Sequence, residues 1–273
     1  MPELPEVRTV TTQLVKLVKN TTVTNVEVFL PKLLKNCNIE QFKNYLVNEK
    51  ILSVYNIGKY IIFKLSNDKN LISHLRMTGK YFNDKIEGKI RRNHDYVIFK
   101  LNNHTDLIYN DYRQFGAFYI KNTNELFITN PLNKLGKEPW DINTKELYDS
   151  VKNKNTNVKT LLLDQNYILG IGNIYANEIL FEAKINPEAK CKDINYGDWL
   201  NIIEISKDIL SNAIKHGGST INSYSSVNGI VGNYQNFLKV HMKSGKKCIK
   251  CDNIISKKLI NQRMTYYCPN CQK

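Results

Sequence analysis

A proline at position two with a glutamate beside it can do chemistry that few N-termini can. The chain opens Met1-Pro2-Glu3-Leu4-Pro5-Glu6-Val7-Arg8. A small second residue normally allows Met1 to be trimmed, which would leave the secondary amine of Pro2 as the free end. Alpha-amino groups titrate at roughly 7.7 to 8.0, far below lysine at about 10.4, so an appreciable fraction is unprotonated at neutral pH. Such an amine attacking a sugar C1′ gives a Schiff-base intermediate, and a secondary amine must give a permanently charged iminium that draws electrons from the neighbouring carbon. Elimination follows naturally. Glu3 can carry the protons, with Glu6 a second carboxylate one turn later. Taken alone, the stretch reads first as a helix start, since proline in the first turn and acids near the positive end of a helix are ordinary.

The second group with chemical content lies at the other end. Cys248-x2-Cys251, sixteen intervening residues and Cys268-x2-Cys271 have the spacing of a structural zinc site with four cysteine ligands. Two disulfides are the alternative, but no apolar signal segment opens the chain, and a reducing, intracellular setting is expected. Cys37 and Cys191 lack such partners and read as idle thiols.

At 273 residues the chain can hold two domains with real cores plus a small metal module. Its formal charge is +14; four thiolates and one zinc ion would bring it to about +12. A polyanionic partner is expected, although the abundance of Lys, Asn and Ile also fits drift in an AT-rich genome. No run of about twenty apolar residues exists, so no membrane-spanning helix is expected.

These groups need elements to hold them. Val7, Val10, Leu14, Leu17 and Val18 recur along one helical face, predicting a helix from Glu3 to about Lys19 that anchors the terminus. Strands are predicted over Val23 to Leu30, Ile51 to Tyr55, Tyr60 to Leu65, Asn70 to Leu75, Tyr96 to Leu101, Asp106 to Tyr109 and Gly116 to Ile120, with a helix from Ile39 to Val47. Many short strands between turn residues suggest a sandwich or barrel. From Leu135 the texture turns helical, with helices over Glu146 to Lys152, Val158 to Asp164, Asn173 to Glu182 (capped by Asn173) and Trp199 to Ile214 (closed by Gly217). Ser219 to Asn236 reads as a polar loop that closes on a ligand, and Gln235 to His241 as a strand leading into a zinc hairpin.

Five motifs in order complete the pattern: Pro2-Glu3-Leu4-Pro5-Glu6-Val7, His74-Leu75-Arg76-Met77-Thr78-Gly79, Asp111-Tyr112-Arg113-Gln114-Phe115-Gly116, Gly170-Ile171-Gly172-Asn173-Ile174-Tyr175-Ala176 and the four-cysteine module. Together they closely resemble the bacterial formamidopyrimidine-DNA glycosylases, over the whole chain. The resemblance implies a multi-domain α+β fold: an N-terminal β-sandwich domain with flanking helices (1–134), a helical helix-two-turn-helix domain with a lesion-capping loop (135–240) and a zinc-finger hairpin (241–273).

It also implies roles. Pro2 would be the nucleophile, Glu3 the acid or base, and Lys59 a phosphate-binding lysine near the reacting centre. Met77, Arg113 and Phe115 match the side chains inserted into the gap left by an everted base: two apolar wedges, and an arginine that hydrogen-bonds the orphaned partner. His94, Lys159, Asn173 and Arg263 match DNA contacts, with Asn173 at a helix start where amides face phosphates. Ser219, Thr220 and Tyr224 match the loop over the everted base, while His74 and Glu178 fall in family motifs without an assigned role. One structural Zn2+ is implied, as are double-stranded DNA carrying oxidised purines as the partner, a monomer, and a bacterial cytoplasmic, nucleoid-associated location.

Two positions depart from the pattern. Tyr96 stands where the family often has a second histidine, and Gln114 where it commonly has a basic residue. The rival within enzymes is an endonuclease VIII-type pyrimidine specificity, against which Leu4 and the long Ser219 to Asn236 loop argue. The rival outside enzymes is a zinc-ribbon damage-binding protein without turnover, against which Pro2, Glu3 and Lys59 argue.

Overall fold

The structure is a computed structural model that describes residues 1–84, 91–219, 227–229 and 232–273. The chain forms two compact units, Met1–Asn133 with His216–Asn233, and Lys134–Lys215 with Tyr234–Lys273.

In the first unit the apolar stripe of helix α1 (Leu4–Val18) is fully used: Leu4, Val7, Val10, Leu14 and Val18 are all buried. Pro5 sits in the first turn, where its missing N–H costs nothing. Two four-stranded antiparallel sheets make the expected sandwich. One runs β1 (Val23–Val28), β6 (Asp95–Leu101), β7 (Asp106–Asn110), β5 (Lys80–Asp84); the other runs β2 (Ile51–Ile57), β3 (Tyr60–Leu65), β4 (Lys69–His74), β8 (Ala117–Asn122). Helix α2 (Ile39–Leu46) is capped by Asn38, whose side chain accepts the Gln41 N–H at 2.8 Å. It buries Phe42 against Phe99 of one sheet and Phe118 of the other, with ring centroids 6.3 and 6.0 Å away. Tyr109 meets Phe118 at 4.8 Å and Tyr81 at 5.3 Å, so the aromatic core runs through both layers.

Strand register places the functional loops. Ile57 pairs with Tyr60, Tyr60 with His74 and His74 with Ala117, so the Gly58-Lys59 turn, the loop after His74 and the loop before Ala117 share one end of the sheet. In the other sheet Asn110 pairs with both Lys80 and Asp95, which brings the His94 segment to the end of β7 where Asp111 begins its loop. The Asp111 N–H donates to the His94 carbonyl at 3.0 Å.

The second unit holds α3 (Thr144–Val151), α4 (Val158–Leu163), α5 (Asn173–Glu182), α6 (Tyr196–Lys215) and a hairpin of β9 (Ser256–Ile260) and β10 (Arg263–Tyr267). Helix α5 is its centre, buried continuously from Tyr175 to Phe181. Gly217, just past α6, has φ +74°, as a left-handed helix end requires. Among the described residues no helix is long and apolar enough to cross a membrane.

Two expectations need correction and one element was missed. The Gln235 to His241 stretch is not a strand: a 3-10 turn covers Tyr234–Phe237, and the amides after it bond to a carboxylate instead of a neighbouring strand. Gly172, not Asn173, occupies the N-cap of α5, and Asn173 is its first helical residue. Strand β5 was not anticipated; its apolar residues are only Tyr81 and Phe82, and an Asn-Asp pair follows them.

Candidate active site and nucleic-acid contacts

The N-terminus is held in place. Pro2 and Glu3 are buried. The Glu3 N–H donates to Glu6 Oε2 at 2.8 Å, and Glu6 Oε1 accepts the Ser219 N–H at 2.7 Å, so one carboxylate fixes both the start of α1 and the start of the segment expected to cover the everted base. Gly218 makes that approach possible. It has φ +76°, and a Cβ there would meet Glu6 Oε1 at 2.7 Å. Thr220 and Tyr224, the other two residues expected in the covering loop, lie outside the described residues.

Burial holds the Met1 amine below the usual α-amino range; the Lys59 and Arg113 cations push the same way, and the Glu3 and Glu6 carboxylates push back. Trimming Met1 would move the free amine to Pro2, inside the same surroundings. Lys59, 5% exposed, is carried by the β2–β3 turn, where Gly58 supplies a φ of +54°. His74 is pushed down to about 3, first by burial and then by the Arg76 and Lys59 charges. It is therefore neutral near pH 7, and its Nδ1 accepts the Arg76 N–H at 2.9 Å, closing the turn that leads to Met77.

The two wedge loops are tied together. Asp111, fully buried, accepts the Thr78 hydroxyl and, at 2.8 Å, the Gly116 N–H; Thr78 Oγ1 in turn accepts the Arg113 N–H at 3.0 Å. Both loops close over the Tyr109 hydroxyl, so tightly that a Cβ on Gly79 or Gly116 would lie 2.2 or 1.9 Å from it. On this base Met77 is half-buried, while Phe115 is 53% exposed with the Arg113 guanidinium 4.8 Å over its ring. An exposed phenylalanine on a rigid loop suits a wedge between bases.

The second unit carries the other expected contacts. Lys159 is buried and donates to Thr265 Oγ1 at 2.6 Å; Asn173 Nδ2 donates to the Met264 carbonyl at 2.9 Å. Both side chains thus grip β10 immediately after Arg263. Arg263 is itself exposed and lines a cleft of about 720 Å³ with Lys154, Thr156, Thr160, Tyr167 and Gln262. Glu178, on α5, accepts the N–H groups of Lys239, Val240 and His241 at 2.7, 3.0 and 2.8 Å.

The four cysteines come together. Their Sγ atoms all lie within 4.8 Å of one another, with Cys248 to Cys271 at 3.9 Å and Cys251 to Cys268 at 3.5 Å. Tetrahedral zinc with Zn–S of about 2.3 Å needs sulfurs about 3.8 Å apart, so the cluster fits the ion. Cys37 and Cys191 stand apart, and burial pushes the Cys191 thiol up to about 11. Sequence reasoning missed Glu6 and Asp111 as organisers. Both lay in quoted motifs, but each also takes a donor from elsewhere in the chain, the Ser219 N–H for Glu6 and the Thr78 hydroxyl for Asp111.

Comparison with known proteins agrees with this geometry. Residues 1–118 match the model of the formamidopyrimidine-DNA glycosylase N-terminal domain, 135–225 that of the formamidopyrimidine-DNA glycosylase H2TH domain, and 245–273 that of the zinc finger found in FPG and IleRS. The formamidopyrimidine-DNA glycosylase of Mycoplasma mobile is 42% identical over 275 residues, covering 100% of this chain and 99% of the relative; that of Mycoplasmopsis pulmonis is 43% identical over 273 residues, covering 100% and 98%. Among solved structures, the Lactococcus lactis Fpg complex with abasic-site DNA superposes with a TM-score of 0.93 at 35% identity over 99% of both chains. The wild-type L. lactis enzyme bound to N7-benzyl-Fapy-dG DNA gives 0.93 at 35% identity over 100% of both. Three domain models in order and relatives above 40% identity along the full length mean that the chain belongs to the formamidopyrimidine-DNA glycosylase family.

Proposed function

We propose that this chain is a base-excision-repair DNA glycosylase for oxidised purines, 8-oxoguanine and formamidopyrimidines, that also cuts the strand. The observation that carries the reading is the convergence at one end of the sandwich of the α1 terminus, Lys59 and the loops bearing Met77, Arg113 and Phe115. With Met1 removed, the Pro2 nitrogen attacks C1′ of the damaged nucleoside, the C1′–N bond to the base breaks, the C1′–O4′ bond then opens as the nitrogen lone pair forms the C=N+ bond, and Glu3 manages the protons that leave the amine and reach the departing base and the ring oxygen. The resulting iminium acidifies C2′–H; loss of that proton expels the 3′ phosphate, and a second elimination expels the 5′ phosphate. Lys59 binds a backbone phosphate near this centre, while Met77 and Phe115 fill the vacated stack and Arg113 meets the orphaned base. His94, Lys159, Asn173 and Arg263 serve the DNA backbone, and Ser219, Thr220 and Tyr224 belong to the covering loop.

Cys248, Cys251, Cys268 and Cys271 hold one structural zinc. Four protein ligands leave no open position, so the ion supplies folding energy to the hairpin that presents Arg263. The three-part division at 134/135 and 240/241, a monomeric state and a bacterial cytoplasmic, nucleoid-associated location complete the proposal.

Borohydride should trap the protein on duplex DNA containing 8-oxoguanine, with the adduct mapped to Pro2 and the intact mass showing loss of Met1. An adduct on a lysine, undiminished in Pro2→Gly, overturns the nucleophile. Single-turnover release faster for 5-hydroxyuracil opposite guanine than for 8-oxoguanine opposite cytosine overturns the purine assignment.

A further inference from the structure

We infer that Tyr96 and Gln114, the two positions where the chain departs from its family's pattern, form with Lys32 a directed hydrogen-bond relay that fixes the tautomer of His94 and presents its Nε2–H to the DNA backbone. The inference rests on the proposed DNA contact of His94.

The direction of the relay follows from what each group is able to donate. Lys32 Nζ lies 2.8 Å from Gln114 Oε1. An ammonium only donates, so the amide oxygen must face it, and the amide nitrogen is left to face Tyr96. That nitrogen lies 2.8 Å from the Tyr96 hydroxyl and also only donates. The hydroxyl oxygen therefore accepts there, which leaves its single proton to be given, in the inferred relay, to the other neighbour, His94 Nδ1, at 3.1 Å. A neutral imidazole whose Nδ1 accepts must carry its proton on Nε2. The relay thus converts a surface ammonium into a defined orientation of an imidazole donor.

The backbone around it is held to match. His94 and Gln114 both have left-handed φ, +70° and +59°, which cost non-glycine residues free energy and persist where surroundings over-determine them. The His94 carbonyl is tied to the Asp111 N–H, and its ring meets Tyr112 edge-on at 5.1 Å. The two departures also explain each other. A basic residue at 114 would set a second cation against Lys32 and offer it no acceptor, whereas glutamine joins the ammonium to the phenol. Tyrosine at 96 then supplies a hydroxyl that takes one proton and passes one on. Gln114 lies between Arg113 and Phe115, so the relay also braces the loop that carries the proposed wedge.

The test uses the full-length, zinc-loaded protein labelled with 15N. Long-range proton–nitrogen spectra of the histidine ring at pH 8, above the ordinary histidine range of about 6.5, should show His94 as the Nε2–H tautomer. Tyr96→Phe keeps the ring and removes the hydroxyl; it should give a mixture of tautomers, as should Gln114→Ala. Each variant should weaken binding to undamaged duplex by about threefold to tenfold, as expected for one hydrogen bond, and the double variant should lose no more than either single. An Nδ1–H tautomer in the parent protein, a tautomer unmoved by Tyr96→Phe, or additive losses would overturn the relay. If the spectra behave as expected but His94→Ala binds duplex as tightly as the parent, the relay exists and its DNA-facing role is overturned, along with the assigned contact of His94.

Discussion

Glu6 and Glu178 are buried glutamates, one in each unit, that gather backbone N–H groups from chain lacking a strand partner, and they do so in different company. Glu178 takes three consecutive amides, 239 to 241, all from the connection into the zinc module. Burial pushes its carboxyl up while the three amides pull it down. Glu6 takes the amides of Glu3 and of Ser219, 213 residues further along, and both donors belong to the proposed machinery. The same interaction thus serves as scaffold in one region and, on the proposed roles, as a coupling between the proposed nucleophile and the proposed covering loop in the other. A scaffold carboxylate should register in stability, and a coupling one in rate.

The largest effect should come from Glu178→Ala. It strips two buried amides and one half-buried amide of their acceptor, and each unsatisfied buried group costs about 1–3 kcal/mol, so a loss of about 3 kcal/mol or more is expected. Trp140 and Trp199, the two tryptophans of the chain, both lie in the second unit, so their fluorescence in a urea titration reads that unit alone. An unchanged midpoint would remove Glu178 from the scaffold.

Glu6→Gln should do the reverse. Glutamine offers one acceptor oxygen, so either the Glu3 or the Ser219 amide would face an NH2 group. A loss of about 1.4 kcal/mol in placing the site corresponds to a tenfold slower single-turnover release of 8-oxoguanine, with the unfolding midpoint of the strand-rich first unit, followed by far-UV circular dichroism, unmoved. A parental rate, or a shifted midpoint at an unchanged rate, would erase the distinction between the two glutamates.

This distinction also marks where sequence reasoning stops. Elements carried by their own periodicity were legible: α1 from its stripe of valines and leucines, α5 to the residue, and most sandwich strands to within two residues. The cysteine cluster was legible because ligand spacing is local to each pair. What failed depends on partners distant in sequence. The 235–241 stretch reads like a strand, yet the amides of its last three residues are taken by Glu178, about sixty residues earlier. Asn173 has the right side chain for a cap, but its amide is spent on Met264, 91 residues away. Tyr96 and Gln114 each looked like a lost basic group, and only their contact shows that one suits the other.

The smallest effect contrasts residues within the second unit. Lys159 and Asn173 direct their side chains at β10, whereas Arg263 at its first position is exposed. The hairpin turn before it, Asn261-Gln262, takes φ of +45° and +60°, so the position of Arg263 depends on a strained turn held by the strands and the metal cluster. Arg263→Ala removes the charge and leaves every cysteine and every β9–β10 pairing in place, so zinc content should stay at one ion per chain. Neutralising one phosphate contact should flatten the plot of log K against log salt by about 0.9, with affinity near 0.1 M salt falling by about threefold to tenfold. Because a phosphate contact carries no sequence information, damaged and undamaged duplexes should lose equally, and single-turnover base release at saturating enzyme should be unchanged. An unaltered salt slope would show that Arg263 does not reach the backbone. A loss confined to lesion-containing DNA would move it from the binding surface into the recognition of the damaged base.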